Sequence, residues 1–176
     1  MKKLSRDQFI AELKRIKLLA LDVDGVLTDD SIFFGPDGAE FKKFNISDGF
    51  FVVLAMRAGL EIAVISGRYS PATDTRMKDL GVKHVLQAHK SKVQQIQPLL
   101  KELKLEMKDV AFVGNELLDI ALAEEVGLPI AVANAVAELK EICGYITELP
   151  GGEGAVREIL ECWFESAGRD PKEFIV

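Results

Sequence analysis

Two carboxylates stand two residues apart in Asp22-Val23-Asp24-Gly25-Val26-Leu27-Thr28-Asp29, directly after the apolar run Ile16-Lys17-Leu18-Leu19-Ala20-Leu21. An aspartate at the mouth of a buried strand can attack phosphorus and carry the phosphoryl group covalently, while a second carboxyl gives and takes the leaving-group proton. Asp22 and Asp24 suit those roles in that order. The competing reading is a plain turn, since Asp and Gly are both common turn residues.

Three later segments favour chemistry, each at the end of an expected strand. Val64-Ile65-Ser66-Gly67-Arg68 offers a hydroxyl and a glycine-loosened backbone for phosphate oxygens at Ser66 and Gly67. Arg68 adds a guanidinium fork for a carboxylate or phosphate, as does Arg157 later, although Arg157 is equally suited to a helix ion pair. Lys92 opens the helix after Gln87-Ala88-His89-Lys90-Ser91; it is a point charge able to pair with Asp22 and phosphate, or else a solvated surface lysine. Phe112-Val113-Gly114-Asn115-Glu116-Leu117-Leu118-Asp119 supplies polar oxygens suited to magnesium, which takes few ligands from protein and the rest from water and substrate.

The elements that must position these residues follow from the hydrophobic pattern. Residues 6–15 read as a short amphipathic helix, and residues 16–21 as a buried strand ending at Asp22. Apolar runs recur at Ile62–Ile65, Val82–Leu86, Val110–Val113 and Ile130–Val132, with helix-favouring stretches between them. That alternation predicts an α/β fold, a Rossmann-like parallel sheet with helices on both faces, whose ligands bind beyond the carboxyl ends of the strands. Ser31–Gly35 and Ala39–Phe44 flank Pro36-Asp37-Gly38, which predicts a β-hairpin inserted after the first strand, about residues 31–44. Asp48 begins a helix as its expected N-cap, with a substrate contact as the minority role. Gly151-Gly152 reads as a hinge-like dipeptide before the last helix, and residues from about 167 onward as a mobile tail of a one-domain chain spanning 1–176.

The composition narrows the function classes. A chain of 176 residues, 48% hydrophobic with a net charge of −6, fits one ordered domain and disfavours a nucleic-acid partner, which needs a basic face. No run approaches the ~18 apolar residues of a membrane span, and Cys143 and Cys162 lack metal or disulfide spacing, so a cytoplasmic protein with two buried thiols is expected. His84 and His89 have no third ligand in view, and Trp163 and Phe164 read as core residues of the last helix.

The order of these motifs resembles the haloacid dehalogenase superfamily, and within it the sugar-acid phosphatases that act on 3-deoxy-D-manno-octulosonate 8-phosphate. The likeness covers roughly residues 15–165 and includes Phe44-Asn45-Ile46-Ser47-Asp48-Gly49 and Gly151-Gly152-Glu153-Gly154-Ala155-Val156-Arg157-Glu158. It implies Asp22 as nucleophile and Mg²⁺ ligand, Asp24 as acid/base that lends its backbone carbonyl to the metal, and Ser66 and Lys92 as phosphate contacts. It also implies a fold without a large cap domain and a homotetramer whose active sites lie at subunit interfaces. The apolar hairpin residues Ile32, Phe33, Phe34, Phe41 and Phe44 point the same way, the alternative being that they fold back on their own core.

One position departs from the family pattern Gly-Asp-Asp-x-x-Asp: Asn115 stands where a metal-binding aspartate is expected. Its carbonyl can ligate a cation without adding charge, and Glu116 swinging in or Asp119 binding through water are open ways to complete the shell. The substrate expected from the resemblance is the octulosonate phosphate, with a nonulosonate 9-phosphate of the sialic-acid type and a non-catalytic sugar-phosphate-binding tetramer as alternatives. A receiver-like signalling domain fits less well, because a second carboxyl placed for acid/base work serves turnover rather than a lasting mark.

Overall fold

Strand β1 (Leu18–Leu21) is buried at all four positions, so it must lie inside a sheet covered on both faces. The computed structural model, which describes residues 3–88 and 90–175, places it there. With β4 (Glu61–Ser66), β5 (His84–Gln87), β6 (Val110–Gly114), β7 (Leu128–Ala131) and β8 (Tyr145–Ile146) it forms a parallel six-stranded sheet in the order β5-β4-β1-β6-β7-β8. The first strand is two residues shorter than its apolar run: the Ile16 amide still donates to the Leu13 carbonyl at the end of helix α1 (Arg6–Leu13), and Lys17 joins the neighbouring chain segments through Asp109 and Glu61. Strand β8 has no counterpart in the sequence reading; its two residues are too short a run to stand out.

Helix α2 (Ile46–Arg57) packs on α3 (Pro71–Leu80) and α7 (Ala155–Ala167), and α1 packs on α7, along one face, whereas α4 (Lys92–Leu103), α5 (Ile120–Ala123) and α6 (Ala137–Ile142) pack together on the other. Connections from β1 and β6 thus leave toward opposite faces, which opens a crevice at their carboxyl ends. The register fixes what meets there. Leu21 pairs with both Val64 and Val113, so Asp22, Ser66 and Asn115 emerge side by side at one rim.

The predicted hairpin forms from β2 (Phe33–Phe34) and β3 (Glu40–Phe41), closed by a turn in which the Gly35 amide donates to the Ala39 carbonyl at 2.8 Å. Phe33, Phe34 and Phe41 are more than half exposed, so they do not fold back on their own core, and only Phe44 packs against it. Among the described residues no helix is long and apolar enough to cross a membrane.

Three local expectations change. Asn45, not Asp48, caps α2: its side chain accepts from the Ser47 and Asp48 amides. Asp48 is 1% exposed and its Oδ1 accepts from the Arg157 amide at 2.7 Å, so it serves the first turn of α7, whose own N-cap Gly154 has no side chain to offer. Gly151-Gly152 is no hinge. A Cβ on Gly151 would sit 1.8 Å from the Gly25 carbonyl, and the Gly152 amide donates to the Val26 carbonyl at 2.9 Å, so this turn buttresses the segment that carries Asp24. The tail is docked rather than free: Phe174 packs against the core, its carbonyl accepts from Arg57, and Arg169 lies over its ring. His84 lies in β5 with Glu61 at 3.4 Å, and His89 lies outside the described residues.

Replacing Asp48 with Ala leaves the α7 amides without their buried acceptor, and should lower the unfolding free energy in urea by about 1–2 kcal/mol. An unchanged denaturation midpoint would remove Asp48 from the set of structural anchors.

Candidate active site

Asp22 sits at the floor of a cavity of about 240 Å³ whose walls include Asp24, Ser66, Gly67, Arg68, Lys92, Asn115 and Asp119. The Asp22 carboxylate and the Asp119 carboxylate are both buried, and Lys92 Nζ bridges them, 2.6 Å from Asp22 Oδ1 and 2.5 Å from Asp119 Oδ1. The helical start at Lys92 is set by Ser91, whose hydroxyl accepts from the Gln94 amide. Lys92 Nζ lies over the Phe112 ring, 5.5 Å from its centroid, at the ends of β1 and β6. Burial alone would lower the Lys92 ammonium, yet the two carboxylates together raise it, so it is charged. Burial raises the Asp22 carboxyl, and Lys92 offsets this only in part. One ammonium therefore does not fully compensate two buried carboxylates, and the site keeps a negative field that suits a cation.

Asp119 is not turned toward the cavity as a free ligand. Its Oδ2 accepts from the Asn115 and Glu116 amides at 2.8 and 3.1 Å, so it folds the loop after β6 around itself. Asn115 is thereby pressed against Gly25, where a Cβ would approach its side-chain nitrogen at 2.0 Å; Gly25 also has φ of +85°, so this turn needs glycine on both counts. Asn115 Oδ1 is buried without a hydrogen-bond partner in a cavity it shares with Asp22 and Asp24. An orphan hard oxygen beside a buried carboxylate fits a small divalent cation. Among the described residues no three His, Cys, Asp or Glu side chains cluster as a metal site. Glu116 is exposed at the rim and its carboxylate accepts from the Leu117 amide at 2.7 Å.

Behind Asp24 and Arg68, outside the cavity lining itself, lie two residues that the sequence reading missed, Lys42 and Glu40. Lys42, from the segment after β3, places its fully covered ammonium 2.6 Å from Asp24 Oδ1, and Arg68 Nε lies 3.4 Å from Asp24 Oδ2. Glu40 accepts from Arg68 at 2.9 Å and from the Ser70 hydroxyl at 2.6 Å, and the Arg68 fork holds Glu40 well below the usual carboxylate range. Their only signal in the sequence was charge alternating with aromatics on the second hairpin strand. Ser66 is buried with its hydroxyl accepting from the Arg68 amide at 3.3 Å, while nothing lies within 4 Å of where a Gly67 Cβ would be. Asp30, also missed, lines the mouth with φ of +67°, a conformation uncommon outside glycine; burial and the nearby Asp24 raise its carboxyl.

Two expected substrate residues lie elsewhere. Asp48 is occupied under α7, and Arg157 pairs with Glu161 at 2.8 Å while lying over the Phe51 ring, in a separate acidic cleft. Cys143 and Cys162 are buried free thiols, and burial pushes Cys143 up to about 12, so neither is a nucleophile.

Comparison with known proteins agrees with this geometry. The family model for haloacid dehalogenase-like hydrolases matches residues 79–159. The 3-deoxy-D-manno-octulosonate 8-phosphate phosphatase of Escherichia coli K12 is 39% identical over 160 residues, covering 91% of this chain and 85% of that protein. The crystal structure of the phosphatase of the same name from Yersinia pestis matches with a TM-score of 0.88 at 34% identity, over 92% of this chain and 87% of that one. The Moraxella catarrhalis phosphatase, in complex with magnesium, phosphate and a KDO molecule, matches with a TM-score of 0.87 at 35% identity, over 91% and 92% of the two chains. With its sheet order, its inserted hairpin and this identity along nearly its whole length, the chain belongs to the 3-deoxy-D-manno-octulosonate 8-phosphate phosphatase family of haloacid dehalogenase-like hydrolases.

Proposed function

We propose that this protein hydrolyses the phosphate monoester of an acidic sugar, 3-deoxy-D-manno-octulosonate 8-phosphate, through a phosphoryl group held on Asp22. The observation that carries the proposal is the Asp22 carboxylate, pinned by Lys92 at 2.6 Å beneath a cavity that Asp24 and Ser66 share. The names of the relatives supply the substrate, and the buried Arg68 nitrogen without a partner offers a donor for a substrate anion. The curated relatives favour the eight-carbon acid over a nine-carbon one.

Asp22 attacks phosphorus while the bond to the sugar oxygen breaks, and the Asp24 carboxyl protonates the departing alcohol. Water then loses a proton to Asp24 and attacks the same phosphorus, which breaks the bond to Asp22 and frees inorganic phosphate. Lys92 and the Ser66 hydroxyl hold phosphoryl oxygens during both displacements. Asp22, the Asp24 main-chain carbonyl and Asn115 Oδ1 are the groups that would hold Mg²⁺, which neutralises charge on the transferring group when bound. We also infer a homotetramer with active sites at its interfaces: Phe33, Phe34 and Phe41 on the hairpin and Leu117 and Leu118 on the loop after β6 are exposed apolar groups. The two buried free thiols accord with a reducing cytoplasm.

Phosphate release from the octulosonate phosphate with magnesium should fall at least about 10³-fold in Asp22→Asn. Equal release by native and variant chains would rule out Asp22 as the nucleophile, and no release by the native chain would leave the sugar-phosphate-binding reading. Asn115→Asp should tighten magnesium binding about tenfold or more by calorimetry, because it restores a charged ligand; unchanged affinity would take position 115 out of the metal shell.

A further inference from the structure

The hairpin inserted after β1 reaches the chemistry through charge as well as through its exposed aromatics. Lys42 is a lysine whose side chain has no exposure at all, which is rare for this residue unless its ammonium is paired. Its partners are Asp24 Oδ1 at 2.6 Å, Glu40 Oε1 at 3.9 Å and the Thr73 hydroxyl at 3.4 Å. Asp24 Oδ1 is itself buried and makes no aligned hydrogen bond, so its contact with Lys42 is that of an ion pair. The other oxygen, Oδ2, faces Arg68, and Glu40 ties Arg68 to Ser70 at the start of α3. Two carboxylates and two cations close a compact, mutually neutralising network whose anchors are β3, α3 and the loop after β4.

We propose that Lys42, carried by the inserted hairpin, is a positioning residue that fixes the Asp24 carboxyl over the point of phosphoryl transfer, with Glu40 fixing Lys42 and Arg68 in turn. This rests on the reading of Asp24 as the proton donor to the leaving group. A carboxyl gripped at one oxygen by a covered ammonium and at the other by a guanidinium has little freedom to rotate away from the departing oxygen. Protonation matters when the leaving group is a sugar alkoxide and much less when it is a nitrophenolate, so the effect of Lys42 should depend on the ester.

The test compares native, Lys42→Met and Glu40→Gln chains on the octulosonate phosphate and on p-nitrophenyl phosphate, with Asp24→Asn and the Asp24→Asn/Lys42→Met pair as background. Lys42→Met should lower kcat on the sugar phosphate about 10–100-fold with KM nearly unchanged, lower it less than about threefold on the aryl phosphate, and cost nothing further once Asp24 is Asn. Glu40→Gln, a milder change, should show the same ester dependence at smaller size. Equal losses on both esters, or a full additional loss in the Asp24→Asn background, would show Lys42 to be only a packing residue. Crystal structures of native and Lys42→Met chains give a readout that needs no turnover: an Asp24 carboxyl that keeps its place without Lys42 overturns the proposal. A displaced carboxyl in a chain that turns over neither ester upholds the positioning and overturns the phosphatase reading instead.

Discussion

The ammonium of Lys92 between Asp22 and Asp119 is the interaction on which the site depends. Two carboxyl groups and an ammonium share a buried volume at the ends of β1 and β6, and their separations of 2.5 and 2.6 Å leave no room for water between them. Removing one member of such a set typically costs about 3–5 kcal/mol, because the charge left behind stays desolvated. Asp119 makes the arrangement local as well as electrostatic. With one oxygen on Lys92 and the other on two backbone amides, it converts the charge of a helix on one face into the shape of the loop that carries Asn115.

A second set of charges is built around Asp24, with Lys42 and Glu40 behind the cavity lining. Asp24, Lys42, Arg68 and Glu40 neutralise one another, and they belong to segments that are distant in sequence but meet at the top of β1 and β4. The division has a chemical sense. Asp22 keeps a negative field that suits a cation, while Asp24 is held between two cations balanced by Glu40. The Gly151-Gly152 turn keeps the two sets in register, since it packs backbone to backbone on the residues that join Asp22 to the hairpin.

Much of this was legible because the signals were local. Asp22, Ser66 and Asn115 each follow a buried apolar run, and a parallel sheet in register brings such positions to one rim whatever the intervening loops do. What was not legible depended on contacts across long separations. Asp48 looks like the cap of its own helix, yet it satisfies α7 more than a hundred residues later, at |i−j| of 109. Lys42 and Glu40 sit in a hairpin whose aromatics dominate its pattern, and nothing local shows that their charges turn inward. Gly151 looks flexible because its freedom is visible in the sequence, whereas the Gly25 carbonyl that confines it is not.

Asn115 gains a physical meaning from the same charges. An aspartate there would place a third carboxylate beside Asp22 and Asp119, both buried and sharing a single ammonium. In the absence of a cation, that would raise the carboxyl of Asp22 further and strain the Asp119 loop. The neutral amide avoids this repulsion and keeps an oxygen in place, orphaned and pointing nowhere else in the protein. Asn115 thus adds an oxygen to the cavity without adding a third charge to the two carboxyl groups that share Lys92.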